Sequence, residues 1–262
     1  MPEPVLHAVT RGEGPRLVLA HGFTQSGQVW GGLADDLAAD FQLVLVDLPG
    51  HGGSSAVRAG LAEGAQLLGE VGGRGDYLGY SMGARFCLHL ALARPGLVDR
   101  LVLVSGTGGI DDRHERSERR RADDALADRL DPSGGGPPAD TVAAFVDRWV
   151  ANPMFGDVPA PANDLDERKH NSAAGLASSL RLAGTGTQEP LWDRLDELHQ
   201  PVLVVAGARD AKFTGLGRRL VAGIGANASM VVIEDADHAP HLQRPHHVAN
   251  AVREFLSPTG PV

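Results

Sequence analysis

The sequence predicts an α/β fold: a mostly parallel sheet with helices on both faces and a helical cap inserted into it. Three observations carry this reading. Short apolar runs alternate with amphipathic stretches, as in strand–helix–strand units. The alternation stops after Ser105 and resumes at Pro201. A serine, an aspartate and a histidine each follow closely on an apolar run, where open α/β sheets build their sites.

Each element follows from local pattern. Apolar runs bounded by Gly, Pro or Asp read as buried strands. They are Leu17–Ala20, Leu43–Val46, Tyr77–Gly79, Leu101–Ser105, Val202–Ala206 and Met230–Ile233, with an edge strand near Val5–Val9 before them. Helical spacing covers Trp30–Ala39, Leu61–Val71, Gly83–Ala93, Gly217–Ile224 and His246–Phe255. Between Asp111 and Leu195 there are helical stretches and no convincing strand. Pro132–Pro138 and Asn152–Pro161 read as loops there. The expected division is a core domain of residues 1–109 and 196–262, with residues 110–195 as a helical cap.

Composition narrows the function. The 262 residues suffice for one sizeable core with an insertion. Apolar residues at 42% and charged residues at 22% fit a soluble globular protein. A net charge of −9, with lysine only at 169 and 212, argues against nucleic acid as a partner. The lone Cys87 permits no internal disulfide and reads as a buried small hydrophobe. Met1–Thr10 lacks a basic stretch followed by an apolar one, so no signal peptide is expected. The longest apolar runs are too short to span a bilayer. The expectation is a cytoplasmic protein; the sequence leaves the oligomeric state open.

Gly79-Tyr80-Ser81-Met82-Gly83 is a G-x-S-x-G motif between an apolar strand and an amphipathic helix. That context makes it a nucleophile elbow, the serine held on a tight turn at a helix N-terminus. Asp210 follows the strand Val202–Ala206, and His238 follows Met230–Ile233. The chain order Ser, Asp, His is that of the α/β-hydrolase fold. His238 can take the Ser81 proton, and Asp210 can fix its tautomer. Of the eleven histidines, only His238 sits in the loop where the triad needs it. His21-Gly22-Phe23 follows the first central strand, so Phe23 and Met82 are the expected N–H donors of an oxyanion hole. The turn-rich Asp47–Ser54 stretch reads as structural. A metal cluster of Asp235, Asp237, His238 and His241 lacks a recognised ligand spacing, and neither metal nor cofactor is expected.

Beyond the fold, the sequence resembles the 2-succinyl-6-hydroxy-2,4-cyclohexadiene-1-carboxylate synthases of menaquinone biosynthesis. The resemblance rests on His21-Gly22-Phe23, on Val46–Ser54, and on the elbow continued by Ala84-Arg85. It also rests on Glu118-Arg119-Arg120-Arg121-Ala122-Asp123, Trp149 with Asn152-Pro153-Met154-Phe155, Gly184-Thr185-Gly186-Thr187-Gln188, and Gly207–Phe213 with its Asp-x-Lys-Phe. Ala84 departs from the pattern, where the family often has a second glycine. The resemblance implies elimination of pyruvate from a cyclohexene polycarboxylate, with Ser81 as a base rather than an acylated nucleophile. It implies a small-molecule polycarboxylate partner read by Arg85, Arg119 and Arg168, with Tyr80 and Trp149 in the pocket. Guanidinium forks suit such a ligand.

Two other readings stay open at this point. A carboxylesterase or carbon–carbon bond hydrolase on the same scaffold would use Ser81 covalently. A small-molecule receptor retaining the triad is the third. An epoxide hydrolase or dehalogenase would carry Asp at the elbow.

Overall fold

The computed structural model describes residues 4–159 and 164–257. The first half runs β1 (Ala8–Arg11), β2 (Arg16–Ala20), α1 (Gly32–Leu37), β3 (Gln42–Val46), α2 (Leu61–Gly72), β4 (Gly75–Tyr80), α3 (Met82–Ala93) and β5 (Val98–Val104). Next come α4 (Arg113–Leu130), α5 (Val142–Val150), α6 (Leu165–Lys169) and α7 (Ala173–Ala183). The chain closes with β6 (Val202–Gly207), α8 (Ala211–Ile224), β7 (Ala228–Ile233), α9 (Pro240–Gln243) and α10 (Pro245–Leu256).

One seven-stranded sheet has the order β1-β3-β2-β4-β5-β6-β7, parallel except for β1. Alternation along each strand builds two cores. In β2, Val18 and Ala20 face one apolar cluster, while Leu17 and Leu19 face the other. Such strands are buried on both faces, which is why they read as unbroken apolar runs.

The edge strand lies further along than expected, at Ala8–Arg11 rather than Val5–Val9. Its register is set by Ala8 opposite Val46, and Val5 is exposed. Helix α8 begins at Ala211, six residues before its apolar spacing becomes regular. It starts there because the Asp210 carboxylate accepts the Phe213 N–H at 3.1 Å, an N-cap that the apolar pattern does not mark.

Between β5 and β6 the described residues form helices and no strand. Asp112, Thr141 and Ser172 cap α4, α5 and α7 by accepting N–H groups three residues on. Ala127, Leu130, Phe145, Leu176, Ala177 and Leu180 give these helices an apolar cluster of their own, which Phe23 from the sheet side joins. The Asn152–Pro161 loop extends in part outside the described residues. Among the described residues, no helix is long and apolar enough to cross a membrane.

Candidate active site

The site begins at the end of β4. Strand and helix α3 are separated by Ser81 alone, which takes φ 50° and ψ −104°. A non-glycine residue there is strained, and the neighbouring packing holds it. A Cβ at Gly83 would stand 1.9 Å from the Ala20 carbonyl oxygen, and one at Gly79 would stand 2.4 Å from that of Gly83. The motif's glycines therefore let α3 press against β2 and β4. The Ser81 N–H donates to Val104 O at 2.8 Å, which ties the turn to β5.

Ser81 Oγ lies 3.0 Å from His238 Nε2, and His238 Nδ1 lies 2.8 Å from Asp210 Oδ2. A carboxylate only accepts, so Nδ1 carries the proton and Nε2 is left to accept from the serine. The imidazole is 1% exposed, with the Phe213 ring at 4.2 Å and the Tyr80 ring at 5.6 Å. The His238 N–H donates to Met154 O at 3.2 Å, a contact from the inserted segment. Such a line can move a proton from Ser81 to His238 while Asp210 steadies the imidazolium.

The loops beside the serine are held by two neutral histidines. His21 Nε2 accepts the Leu48 N–H at 3.0 Å, so its Nδ1–H donates to Gly22 O. His51 repeats the device, accepting from Thr24 N–H at 3.3 Å and donating to Pro49 O at 3.0 Å. Burial pulls His21 down to about 4 and His51 to about 3. Asp47 completes the frame by accepting N–H groups of Gly27 at 2.6 Å and Gly53 at 2.8 Å. Phe23 and Met82 both border the cavity, and Met82 opens α3, so its N–H has no intrahelical acceptor.

A cavity of about 870 Å³ lies between the carboxyl ends of the strands and the inserted helices. Ser81, His238, Asp210, Tyr80 and Trp149 border it, as do all three expected arginines. Trp149 packs edge-on against Phe23 at 4.9 Å. Arg85 is 6% exposed and donates from Nη1 to Ala183 O at 2.8 Å; burial lowers it to about 10. Arg168 is likewise buried and donates to Thr24 Oγ1 at 2.8 Å. Arg119 is partly exposed and pairs with Asp123 at 2.9 Å.

Sequence reasoning gave no site role to several bordering residues, among them Lys212, Phe213, Arg219, Asp123 and the acids Asp111, Asp112 and Glu115. Lys212 and Phe213 stood inside the Asp-x-Lys-Phe stretch, where adjacency to Asp210 was an available signal. Arg219 lies 3.8 Å over the Trp192 ring, a contact with no local sequence signature. Of the conceivable metal cluster, Asp235 pairs with Arg209, Asp237 accepts from Gln243, and His241 packs at 4.1 Å on Tyr80. Cys87 is fully buried, and burial pushes its thiol up.

The model of the Alpha/beta hydrolase family matches residues 17–251. A Bacillus subtilis (strain 168) protein, provisionally named a 2-succinyl-6-hydroxy-2,4-cyclohexadiene-1-carboxylate synthase, is 32% identical over 94% of this chain and 93% of its own length. The Serratia proteamaculans (strain 568) protein of that name is 28% identical over 92% of this chain and 93% of its own. Among solved structures, MenH from S. aureus superposes with a TM-score of 0.84 at 27% identity, covering 95% of this chain and 97% of that one. The shared fold, the near-complete mutual coverage and the recurrence of one enzyme name agree. The chain belongs to the α/β-hydrolase family and, within it, to the 2-succinyl-6-hydroxy-2,4-cyclohexadiene-1-carboxylate synthases.

Proposed function

We propose that this protein eliminates pyruvate from 2-succinyl-5-enolpyruvyl-6-hydroxy-3-cyclohexene-1-carboxylate, giving 2-succinyl-6-hydroxy-2,4-cyclohexadiene-1-carboxylate in menaquinone biosynthesis. The observation that carries this reading is Arg85. Its guanidinium is buried and borders the cavity it shares with Ser81. Among the described residues its one hydrogen bond goes to a carbonyl, and no carboxylate lies within ion-pair distance. With its pKa near 10 it stays charged at neutral pH. A buried cation with no carboxylate in direct contact is costly, and a substrate carboxylate supplies a direct partner. A neutral ester supplies none. Arg119 and Arg168 add positive charge on the same cavity.

In this reading Ser81 is a base. Its Oγ proton passes to His238 Nε2 as Oγ takes a proton from a ring carbon of the substrate. The freed C2–H electron pair forms a C2=C3 double bond, the existing C3=C4 pair shifts to C4=C5, and the C5–oxygen bond to the enolpyruvyl group breaks. The leaving group departs as the pyruvate enolate, which becomes pyruvate on taking up the proton held by His238. Asp210 stabilises the transient imidazolium, and the N–H groups of Phe23 and Met82 face developing negative charge. Tyr80 and Trp149 wall the pocket, and residues 110–195 act as its cap. The electron balance needs neither a metal nor a redox cofactor.

The test is release of pyruvate from the authentic intermediate, followed by ultraviolet absorbance and a pyruvate-specific coupled assay. One pyruvate per ring product is the expected result. Efficient turnover of p-nitrophenyl acetate through an acyl-enzyme, with no pyruvate released, would establish the esterase reading instead.

A further inference from the structure

Asp123 borders a cavity that, on the reading above, receives a polyanion, and yet it is an acid. Its side chain is 1% exposed. A carboxylate so placed is costly unless paired. Its oxygens accept the Arg119 Nε–H at 2.9 Å and, at 3.5 Å, the Gly186 N–H. Arg119 stands one helical turn before it on α4.

We infer that Asp123 is a positioning residue of the substrate site: it holds Arg119 by Nε so that both Nη groups stay available to a substrate carboxylate. This inference rests on the proposed polycarboxylate substrate. Among the described residues, the Asp123 contact is the one hydrogen bond Arg119 makes, and Arg119 borders the cavity. A guanidinium held at Nε keeps the paired Nη edge that grips a carboxylate in bidentate fashion.

The turn after α7 is built around this pair. A Cβ at Gly184 would lie 2.6 Å from Asp123 Oδ2, and one at Gly186 would lie 2.3 Å from the Arg120 nitrogen. Both glycines are needed for the turn to close on α4 and seal Asp123 from water. The adjoining Ala183 carbonyl accepts from Arg85. One turn thus registers both arginines, and Asp123 offsets the repulsion between them, raising the Arg85 pKa where Arg119 lowers it.

The experiment is a double-mutant cycle of Asp123→Asn and Arg119→Gln, read by pyruvate release from the intermediate. Asp123→Asn is expected to lower kcat/KM about tenfold, through KM, with kcat nearly unchanged. In the Arg119→Gln background the same change is expected to cost less than about twofold. Equal losses in both backgrounds would overturn the inference, since they would mean that Asp123 supports the fold independently of Arg119. Arg119→Lys keeps the charge but loses the fork; it provides a second arm if Asp123→Asn does not fold. Full activity of that variant would also overturn the inference. A substrate-free readout is the Arg119 Nε–H signal in nitrogen-15 NMR, expected to be slow-exchanging in the wild type and fast in Asp123→Asn. An unchanged signal refutes the positioning role whatever the substrate. Absence of pyruvate release from the wild type refutes the proposed function alone.

Discussion

Replacing Arg85 by Met removes a buried guanidinium from α3 while keeping most of its volume. Two effects on stability oppose each other. The hydrogen bond from Nη1 to Ala183 O, at the C-terminal end of α7, is lost. A charged bond of that kind is worth about 1.5–3 kcal/mol. Against it, the variant no longer buries a cation with no directly paired carboxylate, whose desolvation costs several kcal/mol. The two nearly offset, so folding stability is expected to change by less than about 2 kcal/mol and Tm by a few degrees. Catalysis has no such compensation. On the proposed reading the wild-type fork meets a carboxylate in the Michaelis complex, and losing it is expected to cost about 1.5–3 kcal/mol, or tenfold to a hundredfold in kcat/KM. Pyruvate release from the intermediate reads the loss, thermal unfolding reads the fold, and any residual hydrolysis of p-nitrophenyl acetate serves as a neutral control. Arg85→Lys, with the charge but not the fork, is expected to fall between. Equal losses on the charged and the neutral substrate, or a collapse in Tm, would mean that Arg85 fastens α3 to α7 and does not read carboxylates.

Ser81→Ala is expected to lower kcat by at least about a thousandfold while the intermediate still binds; calorimetric titration showing lost binding would contradict the base assignment. Gly83→Ala is expected to destabilise by about 3 kcal/mol or more, because its Cβ meets backbone at 1.9 Å. Gly215→Ala, in α8 with nothing within 4 Å of the added carbon, is expected to stabilise by about 0.5–1 kcal/mol; urea midpoints moving alike would refute the packing argument. Stability is expected to fall with pH because of His21 and His51. Their folded values, about 4 and about 3, lie below the unfolded value near 6.5. The unfolded chain therefore binds more protons below pH 6.5, and stability present above that pH is lost as pH falls toward 3. At pH 5 the linkage costs about 2 kcal/mol for each histidine. Denaturant unfolding at pH 7 and 5 measures it, and a His51→Gln variant with the wild-type pH slope would remove His51 from the account.

The strands were legible because a parallel sheet buries both faces, so each central strand announces itself as an apolar run. The edge strand was not, since β1 has a single neighbour and exposed residues, and its position is dictated by pairing with β3. The serine motif was legible because strand, turn and helix are contiguous, and the steric demand on Gly79 and Gly83 is local. The rest of the site depends on distances along the chain that no local pattern records. His21 reads as part of a glycine turn, yet its ring ties the loop after β2 to the loop after β3, an acceptor for Leu48 twenty-seven residues away. Asp123 reads as one more charge on a helix rich in Asp, Glu and Arg. Its role emerges only when Gly184 and Gly186 close on it from sixty residues downstream. Arg168 shows the same limit, since one of its contacts is Thr24, 144 positions earlier. On the proposed reading, the groups for proton transfer lie in three short loops, whereas those for reading carboxylates are spread over contacts between α3, α4, α6 and the turn after α7. If the proposed reading holds, changing that second set while keeping the serine, aspartate and histidine is expected to exchange a polycarboxylate for an ester on the same scaffold.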